Sequence, residues 1–383
     1  MSSNGGGVNG GVSIQDKFMA MRRDMSSALI ERDGEIDMAL TAIVSREHCL
    51  FVGIPGTAKS LMALSLAEWM GSKDPPFVVL LTKYTTPEEL YGPFSLSKLK
   101  NDIYERVTAG YMPEAYIAVI EEIWKASSAV INTMLGVLNE REFVNGRLRQ
   151  KVPLKVAFAT ANEFPNDDNG GKELSAAFDR FLFRKIVHPI RTSAGLERLL
   201  WGGSHKPVLT TAITPDEIDR AASEAEALLF TTEAQDAYRS IVSESRKEGI
   251  HVGDRRLKLG VKACRATAYV SGGIAVTPDH LECLSNVLWD DPAEQPRKIA
   301  EIVGKIANPA GMLINSLLVE CEEIIAACDP TELNQAAAAA GKLKEIRKRL
   351  DKVDGNGRAD AAKNYVDEEL KRIKLVATGK FMS

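Results

Sequence analysis

Residues 51–60 read Phe51-Val-Gly-Ile-Pro-Gly-Thr-Ala-Lys-Ser60, and this stretch indicates both a fold and a site. A short apolar run, 49–52, precedes it, and a segment of helical character, 61–69, follows it. In a turn between strand and helix, successive backbone N–H groups point at an anion, and the helix N-terminus adds partial positive charge. Lys59 is placed to reach terminal phosphates, and the Ser60 hydroxyl to hold Mg²⁺. The residues predicted to contact a nucleotide are Gly53, Pro55, Gly56, Thr57, Ala58, Lys59, Ser60 and Leu61.

One position of this loop is unusual, because Ala58 stands where a glycine usually precedes the lysine. We expect its methyl group to be compatible with the loop only if Ala58 keeps an ordinary negative φ. The alternative for the whole stretch is a glycine-bearing turn that contains a lysine by chance. The flanking strand and helix favour the nucleotide site.

Length, composition and net charge indicate the general class of protein. The chain has 383 residues, 45% of them apolar, with a formal net charge of −4 and five scattered cysteines. These values are typical of a globular protein with reduced thiols, and they give no global attraction to nucleic acid. No signal peptide or apolar run of membrane-spanning length is evident, so we expect a cytoplasmic protein with no membrane span. Residues 1–13 are glycine-rich and are predicted to be flexible.

Three further strands are predicted at 76–81, 115–120 and 155–161, and they alternate with helical patterns. This alternation predicts an α/β domain with a parallel sheet, whose ligands bind beyond the carboxyl ends of the strands. Glu121-Glu122 follows one strand and Asn162 follows another, so these side chains are expected at the same edge as the phosphate loop. That edge is the predicted site.

The chemistry expected there is hydrolysis of a nucleotide. Glu121 suits a magnesium ligand, and Glu122 suits the carboxylate that activates water. Asn162 is placed to hydrogen-bond the water or the γ-phosphate. The alternatives are a solvated acidic loop for the pair and a turn residue for Asn162.

Two projecting segments are predicted, each with a solvated loop as its alternative. Asn145-Gly146 is typical of a β-hairpin turn, and 91–106 is a second arm. Residues 176–184 place Arg180 and Arg184 four positions apart, on one face if they are helical. An arginine from a neighbouring subunit is suited to stabilise charge at a γ-phosphate, whereas the ordinary role of such a pair is a surface salt bridge.

The remaining chain divides into a core at 14–192, a turn-rich linker at 193–212, a helical unit at 213–292 and C-terminal helices at 293–383. The helical unit contains Asp254-Arg255-Arg256 at the start of a helix. In the last part, helices are predicted at about 296–327, through Val353 and at 358–376.

Taken together, these residues resemble the MoxR group of AAA+ ATPases, closest to the RavA-type subfamily. The resemblance covers about 20–310, and its motifs also include Thr86–Pro93, Asn139–Phe143 and Phe178-Asp-Arg-Phe181. It implies an αβα sandwich, a helical lid, a C-terminal helical bundle, and ATP with Mg²⁺. In such a protein Glu122 is the catalytic base and Asn162 resembles sensor 1. Arg180 resembles the arginine finger, assisted by Arg184, and Arg255 resembles sensor 2, with Arg256 as the other register.

The resemblance further implies a homo-oligomeric ring, expected to be a hexamer, a protein client and a partner with a von Willebrand factor A (VWA) domain. It places the insert after Gly92 and the Asn145-Gly146 hairpin at the pore. Ala before Lys is normal in that family. The chain departs from it at Glu121, where the family usually has Asp, and in having no strand-patterned insertion among its C-terminal helices.

Two other functions stay open. A nucleic-acid motor is suggested because Gly-Thr-Ala-Lys-Ser also occurs in minichromosome-maintenance helicases. The expected absence of their N-terminal domain and zinc cysteines, and the Phe-Asp-Arg-Phe segment, make nucleic acid an unlikely partner. A nucleotide-gated scaffold that assembles with little turnover is suggested by Glu121.

Overall fold

The computed structural model describes residues 12–71, 75–165, 171–203, 205–330, 332–353 and 357–379. Most of the segment predicted to be flexible, 1–13, lies outside these residues, as does most of the turn expected at 354–357. The chain forms two compact units, Met1–Ile299 and Ala300–Ser383.

The centre of the first unit is a five-stranded parallel sheet in the order β2-β3-β6-β1-β7. A separate antiparallel hairpin consists of β4 and β5. The predicted α/β class with a parallel sheet is confirmed. The strands are β1 His48–Val52, β2 Phe77–Leu80, β3 Ile117–Glu121, β4 Glu142–Asn145, β5 Leu148–Lys151, β6 Val156–Ala161 and β7 Phe181–Ile186.

Helices cover this sheet. All residues of β1 and β6 are buried, as expected of central parallel strands. Helix α2 packs on β1 and β7, and α3 packs on β3 and β6. The α-helices are α1 Ile14–Ala28, α2 Asp33–Ser45, α3 Lys59–Trp69, α4 Pro87–Tyr91, α5 Leu96–Leu99, α6 Ser128–Leu135, α7 Gly171–Arg180, α8 Ser193–Trp201, α9 Pro215–Glu226, α10 Thr232–Lys247, α11 Asp254–Val270, α12 Gln295–Ala307, α13 Pro309–Ala326, α14 Leu333–Asp351 and α15 Gly357–Gly379.

The structure differs from the sequence-based expectations for these elements in three places. Arg180 and Arg184 do not share a helical face, because α7 ends at Arg180 and β7 begins at Phe181. The start of the predicted linker at 193–212 is helix α8, which the Thr192 hydroxyl caps. The single helix expected at 296–327 is two helices, because Pro309 has no N–H to continue the first one.

The two projecting segments pack on each other. Asn145, at the hairpin turn, accepts a hydrogen bond from the Arg106 N–H at 2.7 Å and donates one to the Arg106 carbonyl at 3.1 Å. The rings of Tyr91 and Phe143 stack with their centroids 5.0 Å apart. Gly146 has φ of +63°, and a side chain there would collide with the Tyr104 carbonyl. The hairpin is therefore confirmed, and its contacts fix it against the second arm.

Helix α11 belongs to the helical unit predicted at 213–292, and it packs on α1 and α2 of the core. Within its own unit it contacts α9 and the 3₁₀ helix Pro278–Asn286. In the second unit, α13, α14 and α15 bury a common apolar core that includes Leu317, Leu343 and Val366. No single helix of the described residues is long and apolar enough to cross a membrane. Only the bent pair α12 and α13, taken together, has the necessary length and composition.

A buried histidine gives the core a pH dependence. The His48 Nδ1 atom accepts a hydrogen bond from the Ala157 N–H at 2.9 Å, and the Nε2 atom lies 2.6 Å from the Leu138 carbonyl oxygen, so the neutral ring is satisfied. Burial, together with the charge of Arg141, lowers the pKa of His48 well below its usual value.

We therefore expect the free energy of unfolding to decrease as the pH falls below about 6.5, by up to about 1.4 kcal/mol per pH unit from this residue, because the unfolded chain binds the proton more readily. Urea unfolding at pH 7.5 and 5.5 measures this change. The His48→Gln variant should lose that part of the pH dependence, and the control variant His251→Gln, at an exposed histidine, should keep it. Equal pH dependence in all three proteins would contradict this role.

Candidate active site

Three predicted site residues meet at the carboxyl edge of the sheet. The Lys59 ammonium donates to the Asn162 side-chain oxygen at 3.3 Å. The Asn162 amide in turn donates to the Glu122 carboxylate at 2.5 Å. These residues begin α3, follow β6 and follow β3, so the parallel topology brings them together. The structure thus connects the phosphate loop with the two strand ends.

The loop is held against the sheet at its first glycine. The Gly53 N–H donates to the Ala161 carbonyl at 3.1 Å, which continues the pairing of β1 with β6. A Cβ atom on Gly53 would lie 2.2 Å from the Val187 carbonyl oxygen, so no other residue fits there without displacing the backbone. Gly56 has φ of +82°, a conformation that glycine adopts at little cost. The two glycines therefore serve different purposes, close approach and loop turning.

The expectation for Ala58 was wrong, because its φ is +65° rather than negative. Ala58 is the N-cap of α3 and lies in the left-handed region, where a Cβ atom costs about 1–2 kcal/mol. The surrounding structure must therefore offset the cost.

The N-terminus of α3 suits an anion. Its first N–H groups have no partner within the helix, and no side chain of the described residues caps it. In contrast, side-chain oxygens of Ser13, Thr192 and Thr214 cap α1, α8 and α9. An uncapped helix N-terminus behind a glycine turn provides N–H donors and partial positive charge for a phosphate.

The charge of Lys59 is held within this loop. Its ammonium donates to the carbonyls of Gly53 and Ile54 at 2.6 and 2.9 Å. Burial lowers the pKa of Lys59, and the negative charge of Glu122 works in the opposite direction. Because loop carbonyls are weaker partners than phosphate oxygens, the ammonium is poised to exchange them for a charged ligand.

The two glutamates at the end of β3 differ in their backbone. Glu121 is the last residue of the strand, and its carbonyl accepts a hydrogen bond from the Leu81 N–H. Glu122 has φ of +53°, which is unusual for a residue with a long side chain and often marks a functional site. Ser60 and Glu121 supply a hydroxyl and a carboxylate, the hard oxygen ligands that Mg²⁺ prefers. The donor set at this edge therefore fits a magnesium ion.

The predicted assisting role of Arg184 is contradicted by its surroundings. Its side chain is fully buried in β7 and donates to the carbonyls of Phe178 and Phe181 and to the Asp290 carboxylate. Burial, with Arg256 nearby, lowers the pKa of Arg184 to about 9. A guanidinium enclosed in this way has no access to a neighbouring subunit. Arg184 joins the core to the lid instead.

Arg256 is likewise enclosed, which argues against Arg256 as the sensor 2 arginine. It donates to the Leu182 and Val287 carbonyls at 3.2 and 2.9 Å and to the Asp179 carboxylate at 2.8 Å. Although burial acts in the opposite direction, the hydrogen bond and charge of Arg256 lower the pKa of Asp179. Arg255, one residue earlier, is exposed and contacts the Asn139 side chain. Of the two candidates for sensor 2, Arg255 is therefore the accessible residue.

Arg180 and Arg255 lie at the edge of the sheet opposite the phosphate loop. Arg180 directly precedes β7, and Phe181 pairs with His48 at the start of β1, whereas the loop follows the end of β1. At about 3.3 Å per residue, the length of β1 separates these edges by about 15 Å. Arg255 belongs to the same edge as Arg180, because Asn139 adjoins Leu138, which contacts His48. No arginine side chain spans that distance.

Two residues near these groups were missed from the sequence. Arg32 contacts the loop from the turn before α2, and Asp179 is the shared partner of the arginines. The Phe-Asp-Arg-Phe segment places Asp179 beside Arg180 and so contains a signal for Asp179, although the sequence prediction assigns a role only to the arginine. Arg32 lies in a charged turn and gave no pattern of its own.

Comparison with known proteins decides the family. The family model described as the MoxR domain in the MoxR-vWA-beta-propeller ternary systems matches residues 16–223. The chain belongs to the MoxR family of AAA+ ATPases. An AAA lid domain model also matches residues 236–303 of this MoxR chain. The RavA-type subfamily stays a prediction.

Relatives of the MoxR chain include two uncharacterized proteins of Methanocaldococcus jannaschii. One is 36% identical over 313 residues, covering 79% of this chain and 81% of the relative. The other is 32% identical over 379 residues, covering 94% and 95%. A structural protein of Acidianus two-tailed virus is 25% identical over 317 residues, covering 74% and 50%.

Among solved structures, one from Cytophaga hutchinsonii, determined as a "putative ATPase", covers 77% of this chain and 95% of its own. It has a TM-score of 0.59 and 16% identity. At this identity it supports the AAA+ fold alone.

Proposed function

We propose that this MoxR chain hydrolyses ATP at sites formed between neighbouring copies of itself. The observation that carries the proposal is the separation of two sets of residues by the length of β1. Lys59, Asn162 and Glu122 are connected at one edge, and Arg180 and Arg255 lie at the other. Since an arginine on the far edge cannot reach the phosphates of its own subunit, it is available to those of the next.

Within one site, the chain's own residues have separate tasks. The N–H groups at the start of α3 and the Lys59 ammonium bind the phosphates. Glu122 accepts a proton from the attacking water, and Asn162 holds the Glu122 carboxylate in place. Ser60 and Glu121 would hold Mg²⁺, which would neutralise phosphate charge. Arg180 from the neighbouring copy stabilises the charge that develops on the transferred phosphoryl group.

A ring closes such head-to-tail contacts, and a hexamer is the size expected from the MoxR family. We propose that hydrolysis moves the paired arms at 91–106 and 142–151 and thereby remodels a protein client. The MoxR-vWA systems named in the matching family description support a VWA-domain protein as the partner that selects the client. Gel filtration with light scattering, with and without ATP, tests for the ring.

The binding half of the proposal is tested with Lys59→Ala. Loss of a charged hydrogen bond to phosphate costs about 1.5–3 kcal/mol, so we expect Mg²⁺-ATP to bind about 10- to 100-fold more weakly by isothermal titration calorimetry. The exposed Lys83, which follows β2 at the same edge, serves as the matched control. The Lys83→Ala variant should bind ATP as the wild type does. Equal affinities for Lys59→Ala and wild type would contradict a phosphate-binding loop.

A further inference from the structure

Arg32 is a buried arginine outside the predicted site, with only 6% of its surface exposed. It lies in the turn between α1 and α2, beside the phosphate loop. Its Nε atom donates to the Thr57 carbonyl at 3.1 Å, and its terminal nitrogens donate to the His188 and Glu31 carbonyls, both at 2.7 Å. One side chain thus ties the loop to the segment that follows β7.

The neighbouring residue holds Arg32 in place. Glu31 has φ of +55°, and its carboxylate accepts hydrogen bonds from the Arg191 N–H at 2.8 Å and from the Thr192 N–H and hydroxyl at 3.0 and 2.6 Å. A Cβ atom on Gly195 would lie 2.4 Å from this carboxylate, so the start of α8 closes over it. The turn is therefore anchored independently of the loop that Arg32 contacts.

The Thr57 carbonyl that Arg32 contacts belongs to the peptide group that leads into Ala58. The peptide group between Thr57 and Ala58 is planar, and its C=O and N–H point in opposite directions. When Arg32 holds the carbonyl on its own side, the Ala58 N–H points away from Arg32. A flip of this peptide would return φ of Ala58 from +65° to the ordinary negative region and would reverse both groups. The hydrogen bond from Arg32 opposes that flip.

We propose that Arg32 is a positioning residue that keeps the phosphate loop in its anion-binding conformation and thereby allows alanine at position 58. The proposal rests on the nucleotide site proposed above. Without Arg32, the flipped loop would turn the Ala58 N–H away and present the Thr57 carbonyl in its place. Glycine at position 58 needs less support, because it adopts positive φ without the steric penalty.

The test measures ATP binding by the full chain in two backgrounds, the natural Ala58 and the variant Ala58→Gly. We expect Arg32→Met to weaken Mg²⁺-ATP binding about tenfold when Ala58 is present, the size of the left-handed penalty, and less than about threefold in the Ala58→Gly background. In steady-state hydrolysis, KM for ATP should rise while kcat at saturating ATP is retained. Arg32→Lys, which reaches one carbonyl rather than several, should lie between Arg32→Met and wild type and provides a milder variant.

Arg141→Met is the matched control. Arg141 is also a largely buried arginine that donates to backbone carbonyls, those of Leu138 and Arg46, but it lies at the opposite edge of the sheet. The Arg141→Met variant should be less stable than the wild type but should bind ATP with the same affinity. Unchanged ATP binding in both Arg32 variants would overturn the proposal, and so would equal weakening in the natural and the Ala58→Gly backgrounds. If Lys59→Ala binds ATP like the wild type, the nucleotide site itself fails.

Discussion

Glu122→Gln is expected to lower the rate of ATP hydrolysis by about two to four orders of magnitude, the usual contribution of a positioned general base. The amide keeps the size of the side chain and its contact with Asn162 but cannot accept the proton of the attacking water. ATP affinity should stay within a few-fold of the wild-type value. Steady-state phosphate release and calorimetric ATP binding measure the two quantities separately.

The matched control is Glu163→Gln. Glu163 is a half-exposed glutamate one residue beyond Asn162, and it pairs with Lys125 at 3.1 Å. Its replacement should leave hydrolysis close to the wild-type rate. If Glu122→Gln hydrolyses ATP as fast as the wild type, Glu122 is not the base. If the wild type binds ATP and assembles but does not hydrolyse it, the chain is a nucleotide-gated scaffold, and Glu121→Asp becomes the variant with which to seek turnover.

Arg180→Ala is expected to lower hydrolysis by about three orders of magnitude, as loss of an arginine finger does elsewhere. The structure distinguishes Arg180 from its neighbours. No described residue accepts a hydrogen bond from its Nε atom, and Asp179 lies 3.5 Å from its terminal nitrogen. Arg184 and Arg256 are enclosed, whereas the Arg180 side chain keeps about a quarter of its surface exposed.

Phosphate release at saturating ATP measures this effect, and ATP affinity per subunit should change little, because the phosphate loop is intact. Arg239→Ala, which removes an exposed arginine of α10 that pairs with Asp236, is the control and should retain activity. Full activity in Arg180→Ala would show that Arg180 is not the finger.

Local sequence patterns were enough to predict the parts of the fold that depend only on residues close together in the chain. The buried strands have continuous apolar runs, and the hairpin has Asn145-Gly146, so both could be placed from the sequence. The phosphate loop combined a strand, glycines, a lysine and a helix in a fixed order. Parallel topology then brought Glu122 and Asn162 to Lys59, as expected.

Long-range partners explain what could not be predicted. Arg184 was expected to assist the arginine finger, a role that needs an accessible side chain, and charged residues are seldom buried. Its burial depends on Asp290, more than a hundred residues away, and on the rings of Phe178 and Trp289. The positive φ of Ala58 likewise depends on a contact from Arg32, which no spacing within the loop reveals.

Mixing two inactive variants tests most directly whether the active site is shared between subunits. Lys59→Ala removes the phosphate loop's lysine, Arg180→Ala removes the finger, and each variant alone should be nearly inactive. In mixed assemblies, about a quarter of the interfaces pair an intact loop with an intact finger, so hydrolysis should recover to a substantial fraction of the wild-type rate. Co-assembled variants that stay as inactive as either one alone would contradict a site formed between neighbouring copies.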